Sequence, residues 1–354
     1  MANSLAIAQA LLLSTVVSTA CSDPGPSNDR PVTAGQPRDS TVATFGVADS
    51  PFEQAIGEIT DVAFDAEDRI VLLDARNHRI QLIRPDGQLV AQFERSGRGP
   101  GEFYVPAAVD VGSDGLIYVL DRGNQRVTSL RQERDSLTFV NEFRIEHDAR
   151  DLCVLRNAVL LVGDYEQQIL HYYSVDGQYL RSAGNLEGAP ADHPAEHPLY
   201  ERHFSTGSLL CDLDREEILF AATLHGLLRS FDSEGIEVGR RSLAGFVPVS
   251  ITVSESGGLS TDYPEGRDFY HRVQNIVLED DSVVVVQVAA EHRAALGERS
   301  RFEYFEYRLH SIDSRVPERL QASRFGAPYF RGRRVVVVAV SEPFPMLRVL
   351  SPER

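Results

Sequence analysis

Short apolar runs alternate with polar turn residues along most of the chain, and one such pattern occurs twice. Residues 69–80 read RIVLLDARNHRI, and residues 116–127 read LIYVLDRGNQRV, 47 residues further along the chain. Apolar runs of this length between turn residues are typical of β-strands. A repeat period in this range is typical of a β-propeller, in which small sheets surround a central channel.

Turn residues subdivide each repeat. Asp-Gly and Asn after an apolar run supply the positive φ that tight hairpins require. In the first repeat such turns fall at residues 65–68, 74–79 and 84–87, and in the second at 112–115 and 121–126. The sequence therefore predicts four antiparallel strands per blade.

Further repeats extend the pattern and predict six blades. A shift of 58 residues superposes Cys153 on Cys211, which makes the third and fourth repeats equivalent. The last repeat has no room for a fourth strand before Arg354, and residues 40–46 can supply it, which removes an exposed sheet edge. We therefore expect an all-β, six-bladed β-propeller whose last blade is closed by an N-terminal strand. The expected blades span residues 59–95, 103–146, 150–184, 207–245 and 268–313, and 322–350 together with 40–46.

The N-terminal segment has the pattern of an export signal. Its apolar run from Leu5 to Val17 is too short to span a bilayer as a helix. The small residues of Ser18-Thr19-Ala20 before Cys21 resemble the lipobox of bacterial lipoproteins, whose cysteine is acylated after cleavage. The same small residues suit ordinary secretion.

These features predict three regions and a location. We expect a signal peptide over residues 1–20, a flexible tether over residues 21–39 and the propeller over residues 40–354. Lipidation of Cys21 would place the protein in the bacterial cell envelope as a periplasm-facing lipoprotein, attached to the membrane through its lipid alone. The alternative is a secreted protein.

Composition narrows the classes of function. The 52 acidic and 35 basic residues give a net charge of −17, which disfavours nucleic acid as a partner. Every basic residue is arginine, so Schiff-base and P-loop chemistry, which need lysine, are excluded. Tryptophan is absent, and tyrosine and phenylalanine must supply any aromatic platform for a sugar or peptide.

The linker between the first two repeats carries a family resemblance. Residues 96–103 read SGRGPGEF and are followed by the strand and turn of residues 116–126, an arrangement that resembles an NHL repeat. The match covers residues 59–131, and the whole chain resembles the exported, six-bladed bacterial propellers, many of them lipoproteins. The glycines of the linker are expected to let the chain turn between blades.

The repeated turns have a structural interpretation. Asn77 and Asn124 are expected to adopt a left-handed backbone conformation. Arg79 and Arg126 are expected to pair with the aspartate that begins the same turn. The functional alternative is that the neighbouring arginine and histidine side chains project from the blade face, where a partner docks.

One segment is a candidate metal site. Residues 192–203 contain His193, His197 and His203 together with three carboxylates. A proline follows each of the first two histidines and disfavours the helix that would place both on one metal. We expect a solvated loop between blades and no cofactor; a divalent metal is the alternative.

Two cysteines lie at equivalent positions of neighbouring blades. Cys153 and Cys211 fall on the expected innermost strands, and an exported protein permits a disulfide between them. The pattern favours two buried thiols and leaves a disulfide as the alternative.

No Gly-x-Ser-x-Gly or His-Glu-x-x-His motif occurs, so the sequence favours a protein without catalytic activity. We expect a scaffold that binds a protein, peptide or glycan through its loop-rich face. The alternatives are a metal- or carboxylate-dependent lactonase, lyase or glycosidase with its site at the channel mouth, as in some resembling propellers, and a structural subunit of an envelope assembly. The candidate binding residues are Arg76, His78, Tyr104, Arg122, Tyr200, His225 and Tyr263.

Overall fold

The computed structural model is a six-bladed β-propeller with four antiparallel strands in each blade. It describes residues 41–47, 51, 54–186, 205–253, 258–280, 283–294, 298, 300–310, 320–341 and 344–351. Within these ranges no helix is both long and apolar enough to cross a membrane. The predicted fold class is therefore confirmed.

Each blade is one sheet whose first strand lies innermost and whose last lies outermost. The strand that closes the ring is β1 (Thr41–Phe45). Blade 1 comprises β2 (Ile59–Phe64), β3 (Ile70–Asp74), β4 (Arg79–Ile83) and β5 (Leu89–Glu94). Blade 2 comprises β6 (Pro106–Val111), β7 (Ile117–Asp121), β8 (Arg126–Glu133) and β9 (Ser136–Arg144). Blade 3 comprises β10 (Ala149–Val154), β11 (Ala158–Tyr165), β12 (Gln168–Ser174) and β13 (Tyr179–Asn185).

The second half of the ring follows the same order. Blade 4 comprises β14 (Gly207–Asp212), β15 (Glu217–Ala222), β16 (Leu227–Asp232) and β17 (Glu237–Ser242), and is followed by a hairpin of β18 (Ser250–Val253) and β19 (Leu259–Asp262). Blade 5 comprises β20 (Phe269–Asp280), β21 (Val283–His292), β22 (Arg301–Leu309) and β23 (Gln321–Ala322). Blade 6 comprises β24 (Tyr329–Arg331), β25 (Val336–Val340) and β26 (Met346–Leu350) with β1 as its outer strand.

The N-terminal strand closes the ring, as predicted. β1 pairs antiparallel with β26, where Thr44 is opposite Arg348 and Phe45 is opposite Leu347. Phe45 is buried in a cluster that also contains Leu72 of blade 1 and Val337 of blade 6. The two ends of the chain are thus joined in one sheet, and that sheet packs on the first blade.

Burial explains why the middle strands are apolar throughout. β3 and β7 are buried at every position because each blade is covered on both faces by its neighbours. Outer strands face solvent on one side, so β17 alternates between half-buried and exposed residues. The hydrophobic core therefore lies between blades; Val71 and Phe93 of blade 1, for example, pack in one cluster with Val119 of blade 2.

Two segments differ from the expected blade limits. Residue 322 was expected to begin blade 6, but Gln321 and Ala322 pair with Glu306 and Phe305 as the outer strand of blade 5. This strand has only two residues, so no apolar period marks it in the sequence. The segment between the fourth and fifth expected blades, for which no strand was predicted, contains the paired strands β18 and β19.

Cys153 and Cys211 form a disulfide, with their Cα atoms 5.6 Å apart. This is the alternative that the sequence left open beside two buried thiols. The innermost strands β10 and β14 converge closely enough for a bridge because they lie side by side around the channel. The disulfide links blade 3 covalently to blade 4.

Candidate functional site

One end of the ring gathers the linkers between blades. Because the strands alternate in direction, these linkers lie at the same end as the turns between the second and third strands of each blade. We call this end the linker face. The turns between first and second strands, and between third and fourth strands, lie at the opposite end. Two cavities open on the linker face.

The larger cavity, which we call the blade 2 cavity, has a volume of about 480 Å³. Its lining includes three arginines, Arg98, Arg126 and Arg144, and one carboxylate, Glu142. Gln125 and Phe143 also line the cavity. The volume lies within the usual range of small-molecule sites.

Arg126 is fixed at the base of this cavity. Its Nη2 donates to the carbonyl oxygen of Gly99 at 2.7 Å and to that of Glu102, and its Nη1 lies 3.0 Å from Oε2 of Glu142. Arg126 is only 6% exposed, and its Nε has no hydrogen-bond partner among the described residues. A buried donor without a partner is uncommon in folded proteins and calls for an explanation.

The glycine-rich linker supports Arg126 and binds the protein's own carboxylates. The amide of Gly99 donates to Oε2 of Glu102 at 2.7 Å, and that of Gly101 donates to Oε2 of Glu142 at 3.0 Å. Gly101 has a φ of +68°, which favours glycine. Carboxylates thus occupy donors that a phosphate would use, and the glycines serve the turn between blades.

Two further arginines, Arg98 and Arg144, flank the cavity. The Cζ atom of Arg98 lies 4.3 Å from the centroid of the Tyr104 ring, an arrangement that holds the guanidinium by a cation–π contact. Neither Arg98 nor Arg144 pairs with a carboxylate of the described residues. Tyr104, a predicted binding residue, is 44% exposed and packs against Gly123 in the cavity wall.

The register of blade 2 places like charges side by side. Arg126 is directly opposite Arg144 in the antiparallel pair of β8 and β9. In blade 1 the equivalent arginine, Arg79, is opposite Glu94 at an ion-pair distance of 3.7 Å. Opposite charges favour such a cross-strand pair and like charges disfavour it. At this position blade 2 has two arginines opposite each other, whereas blade 1 has an arginine opposite a glutamate that neutralises it.

The second cavity, the blade 5 cavity, has a volume of about 310 Å³ and a more apolar wall, formed in part by Phe269, Phe305 and Leu320. The amide of Val247 donates to Nδ1 of His271 at 2.9 Å, so the proton of the neutral ring is on Nε2. Burial, aided by the charge of Arg267 and by His292, lowers the pKa of His271 to about 4. His271 is therefore neutral at physiological pH.

A histidine pair on the same face of blade 3 has a structural role. The rings of His147 and His171 are 4.2 Å apart, and burial lowers the pKa of His147 to about 3. His171 hydrogen-bonds through Nδ1 to Oγ of Ser182 at 2.6 Å and through Nε2 to the carbonyl oxygen of Gly163 at 3.0 Å. The carbonyl oxygen can only accept, so Nε2 of His171 carries a proton and the ring joins neighbouring strands.

Three aspartates on the innermost strands bridge neighbouring blades. Asp61 accepts the amide of Val62 through Oδ1 and that of Val109 in blade 2 through Oδ2, both at 2.8 Å. Asp110 makes the same pair of contacts within blade 2 and to blade 3, and Asp151 makes them within blade 3 and to blade 4. Each carboxylate thus links two blades.

These aspartates have raised pKa values. Burial raises the pKa of Asp110 to about 7, with a further contribution from the charge of Asp61. Burial likewise raises the pKa of Asp61 and Asp151, and the charges of Asp61 and Asp110 raise that of Asp151 further. The backbone hydrogen bonds act in the opposite direction and are outweighed.

The repeated turns differ in part from expectation. The left-handed conformation belongs to His78 and Gln125, with φ of 51° and 49°, instead of Asn77 and Asn124. The two asparagines lie in short 3₁₀ turns and donate from Nδ2 to the preceding aspartates at 2.8 and 2.6 Å, which leaves the reversal to the next residue.

The two arginines of these turns also behave differently from each other. Arg79 pairs with Asp74 at 3.1 Å, as expected. Arg126 pairs with Glu142 at 3.0 Å, while the carboxylate of Asp121 accepts the amides of Tyr104 and Val105.

The other predicted binding residues are distributed around the linker face. Arg76 is exposed, and Arg122 forms an ion pair with Asp148 at 3.0 Å. His225 is half-buried in the turn between β15 and β16. The ring of Tyr263 lies under Arg293, whose Cζ is 4.4 Å from the ring centroid. Tyr104 adjoins the blade 2 cavity through Gly123.

Several predictions concern residues outside the described ranges. These are the signal peptide, the tether, lipidation of Cys21, the binding residue Tyr200 and the candidate metal ligands His193, His197 and His203. In the part of the chain that the structure describes, no group of three or more His, Cys, Asp or Glu residues is arranged to hold a metal ion.

Arg144 and the bridging aspartates were not predicted, although the sequence contains a signal for each. Arg144 follows Phe143 where Glu94 follows Phe93 in the preceding repeat, so the charge is reversed at equivalent positions. The bridging aspartates interrupt otherwise apolar first strands, as in ITDVAF of β2. Neither signal identifies a cavity, because the cavity arises from a linker and two strands that meet only in the fold.

Comparison with known proteins supports the fold. Residues 52–199 match the model of the DUF5128 family, described as a 6-bladed beta-propeller. No curated protein is significantly similar to the chain in sequence.

Solved structures share the architecture at low sequence identity. A Bacteroides fragilis protein described as exported has a TM-score of 0.57 and 12% identity, covering 89% of this chain and 95% of its own. A member of the DUF4221 family from Bacteroides vulgatus has a TM-score of 0.55 and 10% identity, with coverages of 87% and 95%. A streptogramin B lyase has a TM-score of 0.50 and 11% identity, with coverages of 87% and 97%. At these identities the similarity extends to the fold alone.

Proposed function

We propose that this propeller is an exported binding protein that captures a peptide, protein or glycan ligand on its linker face. The observation that carries the proposal is the concentration of recognition features at one end of the ring. Both cavities open there, and two tyrosines, Tyr104 and Tyr263, each lie against an arginine at 4.3 and 4.4 Å. Tyrosine and arginine are the residue types enriched at binding hot spots.

The location of the protein is part of the same proposal. The N-terminal pattern supports export, with Cys21 as the point of lipid attachment, and the similarity to a protein described as exported agrees with it. A disulfide between Cys153 and Cys211 suits an oxidising compartment.

The bridging aspartates favour binding over the enzymatic alternative. A carboxylate-dependent lactonase, lyase or glycosidase needs acids whose oxygens are free to meet a substrate. Asp61, Asp110 and Asp151 each use both oxygens to accept backbone amides of two blades. Their geometry supports a structural role at the centre of the ring.

A binding assay tests the proposal. Glycan and peptide arrays probed with the purified protein are expected to give ligands whose affinity falls by about tenfold or more in Tyr104→Ala or Tyr263→Ala, because each change removes an aromatic contact. Ile236 is 64% exposed beside the turn between β16 and β17, at the opposite end of the ring, so Ile236→Ala is the matched control. Ligands lost in Ile236→Ala and retained in both tyrosine variants would contradict the proposal.

A further inference from the structure

The blade 2 cavity carries positive charge in a strongly acidic protein. The chain has a net charge of −17, yet the wall contains three arginines and a single carboxylate. Arg98 and Arg144 form no ion pair with the described residues, although carboxylates are abundant. Unpaired guanidinium groups around a cavity are suited to bind an anion.

The register of the sheet supports the same conclusion independently. Arg144 is directly opposite Arg126, where blade 1 has a neutralising glutamate, Glu94, opposite Arg79. Like charges in such a pair destabilise the sheet, and an anion bound between them would relieve the repulsion. Because Glu142 already pairs with Arg126, the positive charge that blade 2 leaves for a ligand is that of Arg144, together with Arg98 of the linker.

Arg126 supplies a donor that is already in place. The side chain is 6% exposed and is held by the carbonyl oxygens of Gly99 and Glu102 and by Glu142. Its Nε is buried from solvent and has no partner in the described part of the chain. A donor fixed before binding loses little side-chain entropy when the ligand arrives, which favours affinity.

The remaining wall indicates what else the anion carries. Glu142 lies in the lining and would repel a compact dianion such as sulfate, but its carboxylate can accept a hydrogen bond from a hydroxyl group. The exposed side chain of Gln125 forms no hydrogen bond with the described residues and offers both a donor and an acceptor. Phe143 also lines the cavity, but its ring stacks on Tyr173 and packs against the core between blades 2 and 3. The polar set suits a ligand with one carboxylate and several hydroxyls.

We propose that the blade 2 cavity binds a uronic acid unit of an acidic glycan, with the sugar carboxylate between Arg98, Arg126 and Arg144. The inference rests on the proposed function and specifies its ligand. Arginine is the side chain best matched to a planar carboxylate, which it can bind through two parallel hydrogen bonds. The volume of about 480 Å³ admits one or two sugar rings.

Calorimetric titration with digalacturonate tests the inference. Wild-type protein is expected to bind it, whereas the neutral disaccharide digalactose is not. Arg144→Glu gives blade 2 the charge pattern that blade 1 already has, so this variant is expected to fold and to lose affinity by more than about tenfold. Arg98→Gln is expected to weaken binding on the order of tenfold.

The control is an arginine far from the cavity. Arg84 lies in the turn between β4 and β5 at the opposite end of the ring, with a side chain that is 55% exposed. Arg84→Gln is expected to bind digalacturonate as the wild type does. Thermal unfolding of each variant shows whether it is folded before its affinity is compared.

Three outcomes would overturn the inference. The protein binds digalactose as well as digalacturonate, or folded Arg144→Glu keeps the wild-type affinity. The third is that the protein prefers sulfate, inorganic phosphate or a tetraglutamate peptide to digalacturonate. A neutral glycan or peptide whose binding depends on Tyr104 would overturn the uronic acid inference while supporting the proposed function. The two failures are therefore distinguishable.

Discussion

Replacing Arg79 with methionine is expected to lower the free energy of unfolding by about 3 kcal/mol, because it leaves a buried carboxylate without its cation. Arg79 is 2% exposed and its partner Asp74 is fully buried, with Nε 3.1 Å from Oδ2. Asp74 also accepts the amides of Gly57 and Glu58. Loss of the guanidinium therefore weakens the junction between a linker and its blade as well as the ion pair itself.

A half-buried pair in the same blade, more accessible to water than Arg79 and Asp74, provides the control. Arg69 pairs with Asp65 at 2.6 Å, with side chains 24% and 13% exposed. Arg69→Met is expected to cost less than about 1 kcal/mol, since water and salt screen such pairs. Urea unfolding of the three proteins measures both values. If the two substitutions lower the free energy of unfolding by amounts within about 1 kcal/mol of each other, the buried pair does not hold the linker in place.

Stability is expected to fall by about 2 kcal/mol as the pH rises from about 6.5 to about 8.5. Burial raises the pKa of Asp61, Asp110 and Asp151 in the folded ring, that of Asp110 to about 7. In the unfolded chain these groups are already ionised above about pH 5. The folded state therefore binds more protons than the unfolded state, and a rise in pH favours unfolding.

The window is chosen to separate the aspartates from the histidines. Burial lowers the pKa of His147 to about 3 and that of His271 to about 4. Below about pH 6.5 these histidines take up protons when the protein unfolds, so acidification favours unfolding through them. This loss of stability offsets the gain that acidification gives through the aspartates. Above about pH 6.5 the contribution of the histidines disappears within about one pH unit, and the aspartates dominate the pH dependence.

A variant assigns the effect to one group. Asp151→Asn keeps an oxygen acceptor for the amide of Leu152 but sets an NH2 group against the amide of Leu209, so the variant is expected to be less stable at every pH. Because the change removes the titrating group, the pH dependence is expected to become shallower. Asn275 of blade 5 accepts the amide of Ile276 in the same way, but its Nδ2 donates to the carbonyl oxygen of Tyr329. Asp86→Asn, in an exposed turn, is the control. Stability that is flat or rises over this window in the wild type would refute the raised pKa values.

The ring could be predicted because its determinants are local. Continuous apolar strands such as Ile117–Asp121 and the turns between them recur at a nearly constant period, and the missing strand of blade 6 has a counterpart at residues 41–45. The outer strand of blade 5 could not be predicted, since Gln321–Ala322 is held by pairing with β22 and has no pattern of its own.

The candidate site could be predicted only in outline. Tyr104 was foreseen from the linker that carries it, and it adjoins the blade 2 cavity through Gly123. Arg98 and Arg144 were not predicted. Arg98 reaches the cavity because of the fold of the linker, and Arg144 because of the register between β8 and β9, and packing determines both. The left-handed residue of each turn was misplaced by one position, because the asparagine side chains bind aspartates instead.

Hydrogen exchange with and without digalacturonate tests most directly whether the linker face at blade 2 is the binding surface. The account predicts slower exchange in residues 96–105 and 122–126, which form the wall and support of the cavity, and unchanged exchange in the turn of residues 84–88 at the opposite end. Protection confined to the opposite end of the ring, or no protection at a saturating concentration of the sugar acid, would contradict it.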